Sequence, residues 1–93
     1  MVFDSKKAAL LVIDAQNEYF DGKWPVPNGE EALNHIERAI DASQHAGAVV
    51  IYVQHAVLRP ERGVFLPGSH GFELHPRLRP RVNDPHVVKN YPG

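Results

Sequence analysis

Two charged side chains stand where chemistry is most easily done. Asp14 follows the apolar run Ala8-Ala9-Leu10-Leu11-Val12-Ile13, and Lys89 closes the shorter run His86-Val87-Val88. The first run is too short for a helix and lacks the alternation of a strand wetted on one face, so it reads as a central parallel strand buried on both faces. A carboxylate just past such a strand lies at the carboxyl edge of the sheet, where open α/β proteins place their ligands. Partial burial there suits it to general acid or base work, although an Asx turn or a helix cap uses the same residue type at the same place. Lys89 reaches the same edge by the same logic, unless it is a solvated gatekeeper at a strand end. Together the two suggest a carboxylate and an ammonium facing one pocket.

Other chemistries find less support. The six histidines include no His-x-x-x-His pair, and His70 and His75 fall in irregular sequence, so surface or loop-packing histidines are expected and no metal. The absence of cysteine excludes disulfides, thiolate zinc sites and a nucleophilic thiol from these 93 residues. With neither a Gly-x-Gly-x-x-Gly after the first strand nor a Walker motif, no nucleotide cofactor is expected. The run Arg77-Leu78-Arg79-Pro80-Arg81 lacks interleaved aromatics and reads as a solvated or interface loop, with Arg59, Arg62 and Arg77 as candidate carboxylate clamps. Ten basic against eleven acidic groups give net −1, so neither nucleic acid nor an anionic membrane is an expected partner. The halves differ: residues 1–55 carry four basic and eight acidic groups, residues 56–93 six and three, so the second half could accept an anionic ligand.

The positioning elements follow from the pattern. Residues 16–29 concentrate turn formers and predict a loop over the end of the first strand. Asn28 three residues before Glu31 predicts a capping box, and Leu33, Ile36 and Ile40 with Gly47 beyond them predict a helix over 30–46, with Glu30, Glu37, Arg38, Asp41 and Gln44 toward solvent. Ala48–Val53 predicts a second strand, giving a strand-helix-strand unit with the usual right-handed crossover. Residues 56–85 hold five prolines and three glycines, but also Phe65, Leu66, Phe72, Leu74 and Leu78, which argue for an ordered active-site or interface loop rather than a solvated linker. His86–Lys89 predicts a third strand. At 93 residues and 10.4 kDa the chain can hold one core and one domain. No apolar run approaches the ~20 residues of a bilayer span, and Met1–Lys7 lacks the order of a secretory signal, so a cytoplasmic protein is expected.

Four segments in order then resemble a known family: Leu10-Leu11-Val12-Ile13-Asp14-Ala15-Gln16-Asn17-Glu18-Tyr19-Phe20, Val50-Ile51-Tyr52-Val53-Gln54-His55, Gly71-Phe72-Glu73-Leu74-His75-Pro76 and Val88-Lys89-Asn90-Tyr91-Pro92. They look like the N-terminal half of the isochorismatase-like, or cysteine hydrolase, superfamily. The resemblance implies a three-layer, Rossmann-like α/β sandwich with a six-stranded parallel sheet, of which residues 1–93 would be half, and a small-molecule substrate. Asp14 matches the family aspartate and Lys89 the lysine of an Asp-Lys-Cys triad. In the amidases the aspartate takes the thiol proton, the lysine stabilises the thiolate and the cysteine attacks an amide or carbamoyl carbon. Gln16 and Tyr19 match positions near the substrate, with structural packing at the strand-to-loop turn as the alternative.

The family cysteine lies downstream of the lysine, beyond residue 93. The resemblance therefore implies one portion of a larger hydrolase, truncated or completed by a complementary half, with an exposed apolar edge at Ala9–Ile13 that invites oligomerisation. Isochorismatase-type members hydrolyse a vinyl ether by acid catalysis without a thiol. Val53-Gln54-His55 replaces the Asp-x-His of nicotinamidase-like members, which speaks against that activity and against zinc. The alternative to a hydrolase is a catalytically inactive half-fold acting as an oligomerisation or regulatory module.

Overall fold

The computed structural model describes residues 8–90, so Met1–Lys7 and the Tyr91-Pro92 end of the last motif lie outside the described residues. Three strands, β1 (Ala9–Ile13), β2 (Val49–His55) and β3 (His86–Lys89), form a parallel sheet in the order β1-β2-β3. One helix, α1 (Gly29–His45), connects β1 to β2. The α/β class and the strand-helix-strand opening are as the sequence predicts. Register sets Val12 beside Tyr52 and His55 beside Lys89, so the three strands end at about the same level.

The core lies on one side of the sheet. Leu10 and Val12 of β1 and Val50 and Tyr52 of β2 pack with Leu33, Ile36 and Ile40 of α1, and Leu74 and Leu78 close the cluster from the long loop. Among the described residues the opposite side is bare. Leu11 is 54% and Ile13 53% exposed, with Val49 and Val87 about half exposed. This corrects the expectation that β1 is buried on both faces: within residues 8–90 a helix layer covers one face only, and the run is uniformly apolar although half of it meets solvent. Among the described residues no helix is long and apolar enough to cross a membrane.

The ends of α1 follow different rules. At the C-terminus Gly47 takes φ +79, Ala48 N–H donates to Ser43 O at 2.9 Å and Gly47 N–H to Gln44 O at 3.1 Å, a Schellman closure that needs glycine's freedom at positive φ. At the N-terminus the expected capping box is absent: Asn28 sits at φ 58 and its side chain makes no cap bond. A capping side chain requires extended backbone at the cap, and the left-handed turn denies it that geometry. Glu30 and Glu31 in the first turn still favour the positive end of the helix dipole.

Residues 56–85 are packed rather than free. They contain 3₁₀ turns at Pro60–Arg62 and Pro76–Leu78, and bury Val64, Phe65 and Leu78. Arg77 straps the second turn to α1, with Nη1 donating to Glu30 at 2.6 Å and Nη2 to Asn34 at 2.6 Å and to Glu37. Glu37 is therefore half-buried against an arginine instead of pointing into solvent, and Arg77 is spent on the fold instead of clamping a carboxylate ligand.

Tyr52 is fully buried, and among the described residues its hydroxyl has no hydrogen-bond partner. Burial raises its phenol above the ordinary tyrosine range, Asp84 adds to the rise and Arg81 opposes it. A raised folded-state value means a stability contribution that is complete below about pH 10 and lost as pH climbs through the folded value. Urea unfolding of Tyr52→Phe is expected to show stability within about 1 kcal/mol of the parent near neutral pH and a smaller alkaline loss, because only an unpaired hydroxyl is removed. Leu33→Ala, which empties a fully packed position, is expected to cost about 2–5 kcal/mol in the same assay.

Candidate active site

The carboxyl edge of the sheet gathers the charged pair. Asp14 continues the ladder by one bond, its N–H donating to Val53 O at 2.9 Å, and then turns off the sheet at φ 60. Aspartate is among the few residues that tolerate this left-handed conformation. Lys89 ends β3, where its carbonyl accepts from Ala56 N–H at 2.8 Å. The two strands are not neighbours, so the side chains must close a gap of roughly 10 Å over the end of β2. The long lysine does so: Nζ lies 3.3 Å from Asp14 Oδ2, with both side chains largely shielded from solvent. Asp14 Oδ1 is buried and has no hydrogen-bond partner among the described residues. One carboxylate oxygen is thus held by an ammonium while the other keeps its lone pairs for a proton or a ligand donor.

Three consecutive polar residues after Asp14 build the frame around the pair. Gln16 is 0% exposed; its Oε1 accepts from His55 N–H at 2.8 Å, and its Nε2 donates to His55 O at 2.9 Å and Phe72 O at 2.7 Å. Asn17 Nδ2 donates to His70 O at 2.9 Å. Glu18 accepts from Lys23 N–H and Phe65 N–H, each at 2.9 Å. The same stretch pairs with 71–75 through its main chain, His75 N–H to Ala15 O at 3.0 Å, Asn17 N–H to Glu73 O at 2.9 Å and Glu18 N–H to Gly71 O at 3.0 Å. Buried polar groups are retained only when hydrogen bonded, and here each amide or carboxylate satisfies loop backbone that would otherwise be stranded.

Gln16 and Tyr19 differ in their surroundings. Gln16 has no exposed surface, and both its amide protons are engaged by His55 O and Phe72 O. Tyr19 stays beside the site, tilted against Phe65 with centroids 5.1 Å apart. Burial raises its phenol above the ordinary range, and the Asp14 carboxylate raises it further. A shallow hollow of ≈ 260 Å³ adjoins the pair, bounded by Ile13, Asp14, Tyr19, Phe20, Val26 and Ile36. A larger hollow of ≈ 430 Å³ lies between α1 and the Arg77–Arg79 turn, away from the charged pair, so size does not mark the site here.

Some neighbours were not singled out by the sequence. His55 packs edge-on to Phe65 at 5.2 Å, and its Nδ1 is buried without a partner among the described residues. Trp24 also meets Phe65 edge-on at 5.7 Å. The one available signal was the presence of large apolar side chains in the long loop, which indicated order without saying what they touch. Arg59 and Arg62 are exposed. Among the described residues no three His, Cys, Asp or Glu side chains converge as a metal site.

A family model described as the isochorismatase domain matches residues 8–93. The uncharacterized isochorismatase family protein YddQ of Bacillus subtilis is 36% identical over 86 residues, 91% of this chain and 48% of that protein. Streptothricin hydrolase of Streptomyces noursei is 31% identical over 81 residues, 87% of this chain and 28% of that protein. The crystal structure of N-carbamoylsarcosine amidase from Thermoplasma acidophilum superposes with a TM-score of 0.76 at 25% identity, covering 87% of this chain and 50% of that one. The chain spans less than half the length of both curated relatives.

Gln16→Leu preserves the approximate volume but strands the His55 N–H and weakens the satisfaction of two carbonyls. It is expected to destabilise the fold by about 2–4 kcal/mol in denaturant unfolding, whereas a residue serving substrate alone would leave stability unchanged. In an ultraviolet pH titration, Asp14→Asn is expected to bring the Tyr19 phenol back toward the ordinary range by removing the neighbouring negative charge.

Proposed function

The chain belongs to the isochorismatase-domain family, and from that premise we propose that it contributes Asp14 and Lys89 as catalytic side chains to a hydrolase of small amide or carbamoyl compounds. The carrying observation is the contact of 3.3 Å between Lys89 Nζ and Asp14 Oδ2, beside a buried Oδ1 with no partner among the described residues. The named activities of a streptothricin hydrolase and an N-carbamoylsarcosine amidase among similar proteins support the reaction class.

The nucleophile is a cysteine thiol supplied from outside residues 1–93, since this sequence has none. Asp14 Oδ1 takes the thiol proton, and the thiolate forms beside the Lys89 ammonium, which offsets its charge. Sulfur attacks the carbonyl carbon, the C–N bond breaks, and the proton held by Asp14 leaves with the nitrogen. Water then adds to the thioester with Asp14 as base, the C–S bond breaks, and the thiol is restored. The cycle calls for no cofactor. A vinyl-ether substrate is the other reaction open to the same pair: protonated Asp14 would donate a proton to carbon, with no thiol required.

The bare apolar face of the sheet, with Leu11 and Ile13 more than half exposed, supports a partner for this chain: the complementary polypeptide that brings the thiol, or a second copy. The same face supports the second reading, an inactive half-fold that serves assembly alone.

The test is ammonia release from a panel of small amides and N-carbamoyl compounds, with a vinyl ether as a parallel arm, using the assembled protein that contains the thiol. Asp14→Asn is expected to lower kcat/KM by about 10²–10⁴-fold and Lys89→Met by about 10²–10³-fold, with circular dichroism unchanged. Vinyl-ether turnover that survives thiol alkylation would move the assignment to acid catalysis. Full activity in Asp14→Asn, or inertness toward all three substrate classes, would leave the assembly reading standing instead.

A further inference from the structure

Glu18 is the one carboxylate buried within the core of the site's frame, 4% exposed, and no cation lies within ion-pair distance of it among the described residues. An uncompensated buried carboxylate is costly, and an apolar residue would fill the same space at less expense in free energy. What the carboxylate adds is two acceptors aimed at two separate segments: Oε1 takes the Lys23 N–H and Oε2 the Phe65 N–H, both at 2.9 Å. Its surroundings are shaped to admit it. A Cβ on Gly71 would stand 2.0 Å from Oε2 and 2.6 Å from Cδ, so glycine there leaves the room that the carboxylate fills, while one on Gly22 would meet both Oε1 and the Glu18 Cα at 2.5 Å.

The residue held by Oε2 is the centre of the aromatic wall. Phe65 is fully buried at φ 52, a conformation costly for a bulky side chain that persists only when its surroundings hold it. Its ring touches Tyr19, Trp24 and His55 at centroid distances of 5.1, 5.7 and 5.2 Å. His55 is the register partner of Lys89, so the wall stands against the end of the sheet that carries the charged pair.

We propose that Glu18 is a positioning residue whose carboxylate latches residues 63–71 to the 18–24 turn and so sets where Phe65 stands beside Asp14 and Lys89. Its kinetic consequence rests on the hydrolase reading above; the latch itself does not. The latch acts on substrate fit, so its loss raises KM more than it lowers kcat.

Glu18→Gln is the direct test, because a carboxamide is nearly isosteric but turns an NH₂ group toward one of the two backbone N–H donors. Amide hydrogen exchange at Phe65 or Lys23 is expected to accelerate about tenfold or more, with a change in emission from Trp24, the chain's one tryptophan. In the assembled protein KM is expected to rise about tenfold with kcat within about threefold. Unchanged protection at both amides with unchanged Trp24 emission would overturn the latch, and a collapse of kcat at constant KM would overturn its action on substrate fit. If Glu18→Gln does not fold, Gly71→Ala probes the latch from the loop side with Glu18 in place. Loosening at the Phe65 amide supports the proposal, and a fully protected Phe65 refutes it. Exchange and fluorescence do not depend on turnover, so failure of the hydrolase reading and failure of the latch are separately visible.

Discussion

The structure depends on the need to pair buried backbone. Two long segments, 16–28 and 56–85, cross the carboxyl edge of a small sheet, and neither can be buried there by strand or helix pairing alone. Gln16, Asn17 and Glu18 solve this locally. Their side chains satisfy the N–H groups of His55, Phe65 and Lys23 and the carbonyls of His55, Phe72 and His70, so one short stretch ties the end of β1 to the end of β2 and to three places in the loops. Without these bonds the loop backbone would need water, and water would enter the space beside Asp14.

The charged pair gains its character from that frame. Asp14 and Lys89 come from non-adjacent strands and meet over the end of β2, whose last residue His55 is fixed by Gln16 on both its N–H and its carbonyl. The strands are parallel and end level, so their carboxyl ends present side chains to a common region, and the lysine's length spans the intervening strand. The frame holds one carboxylate oxygen against the ammonium and leaves the other unpaired among the described residues, an arrangement that a flexible edge would lose to solvent. Arg77 with Glu30, Asn34 and Glu37 keeps the Pro76–Leu78 turn down on α1, so the long loop is tied at both the site and the core.

The sheet is asymmetric in what it asks of solvent. Its α1 side is a closed core, while the side carrying Leu11, Ile13, Val49 and Val87 is apolar and open among the described residues. A parallel sheet is ordinarily covered on both faces, because its strands carry apolar side chains on both. The uniformly apolar run in β1 carries that two-sided pattern, although among the described residues only one of its faces is covered.

The amino-acid sequence alone determined the local order of elements and the two side chains at the strand ends. Apolar runs, turn formers and the 3.6-residue spacing of Leu33, Ile36 and Ile40 act over short distances, so β1, α1, β2 and β3 were legible to within one or two residues, and Asp14 and Lys89 were marked by following an apolar strand. The four ordered segments also carried the family resemblance. Tertiary structure decided what those patterns leave silent. It put Gln16 in the interior and gave Glu18 two donors, because the partners are main-chain groups of residues such as His55 and Phe65, and a backbone N–H leaves no signature in residue type. It spent Arg77 on α1, replaced the expected capping box with a left-handed Asn28, and left one face of β1 open, since each depends on where distant segments cross. The sequence named the charged residues, but only the fold could bring their side chains to 3.3 Å across an intervening strand and leave one carboxylate oxygen without a partner among the described residues.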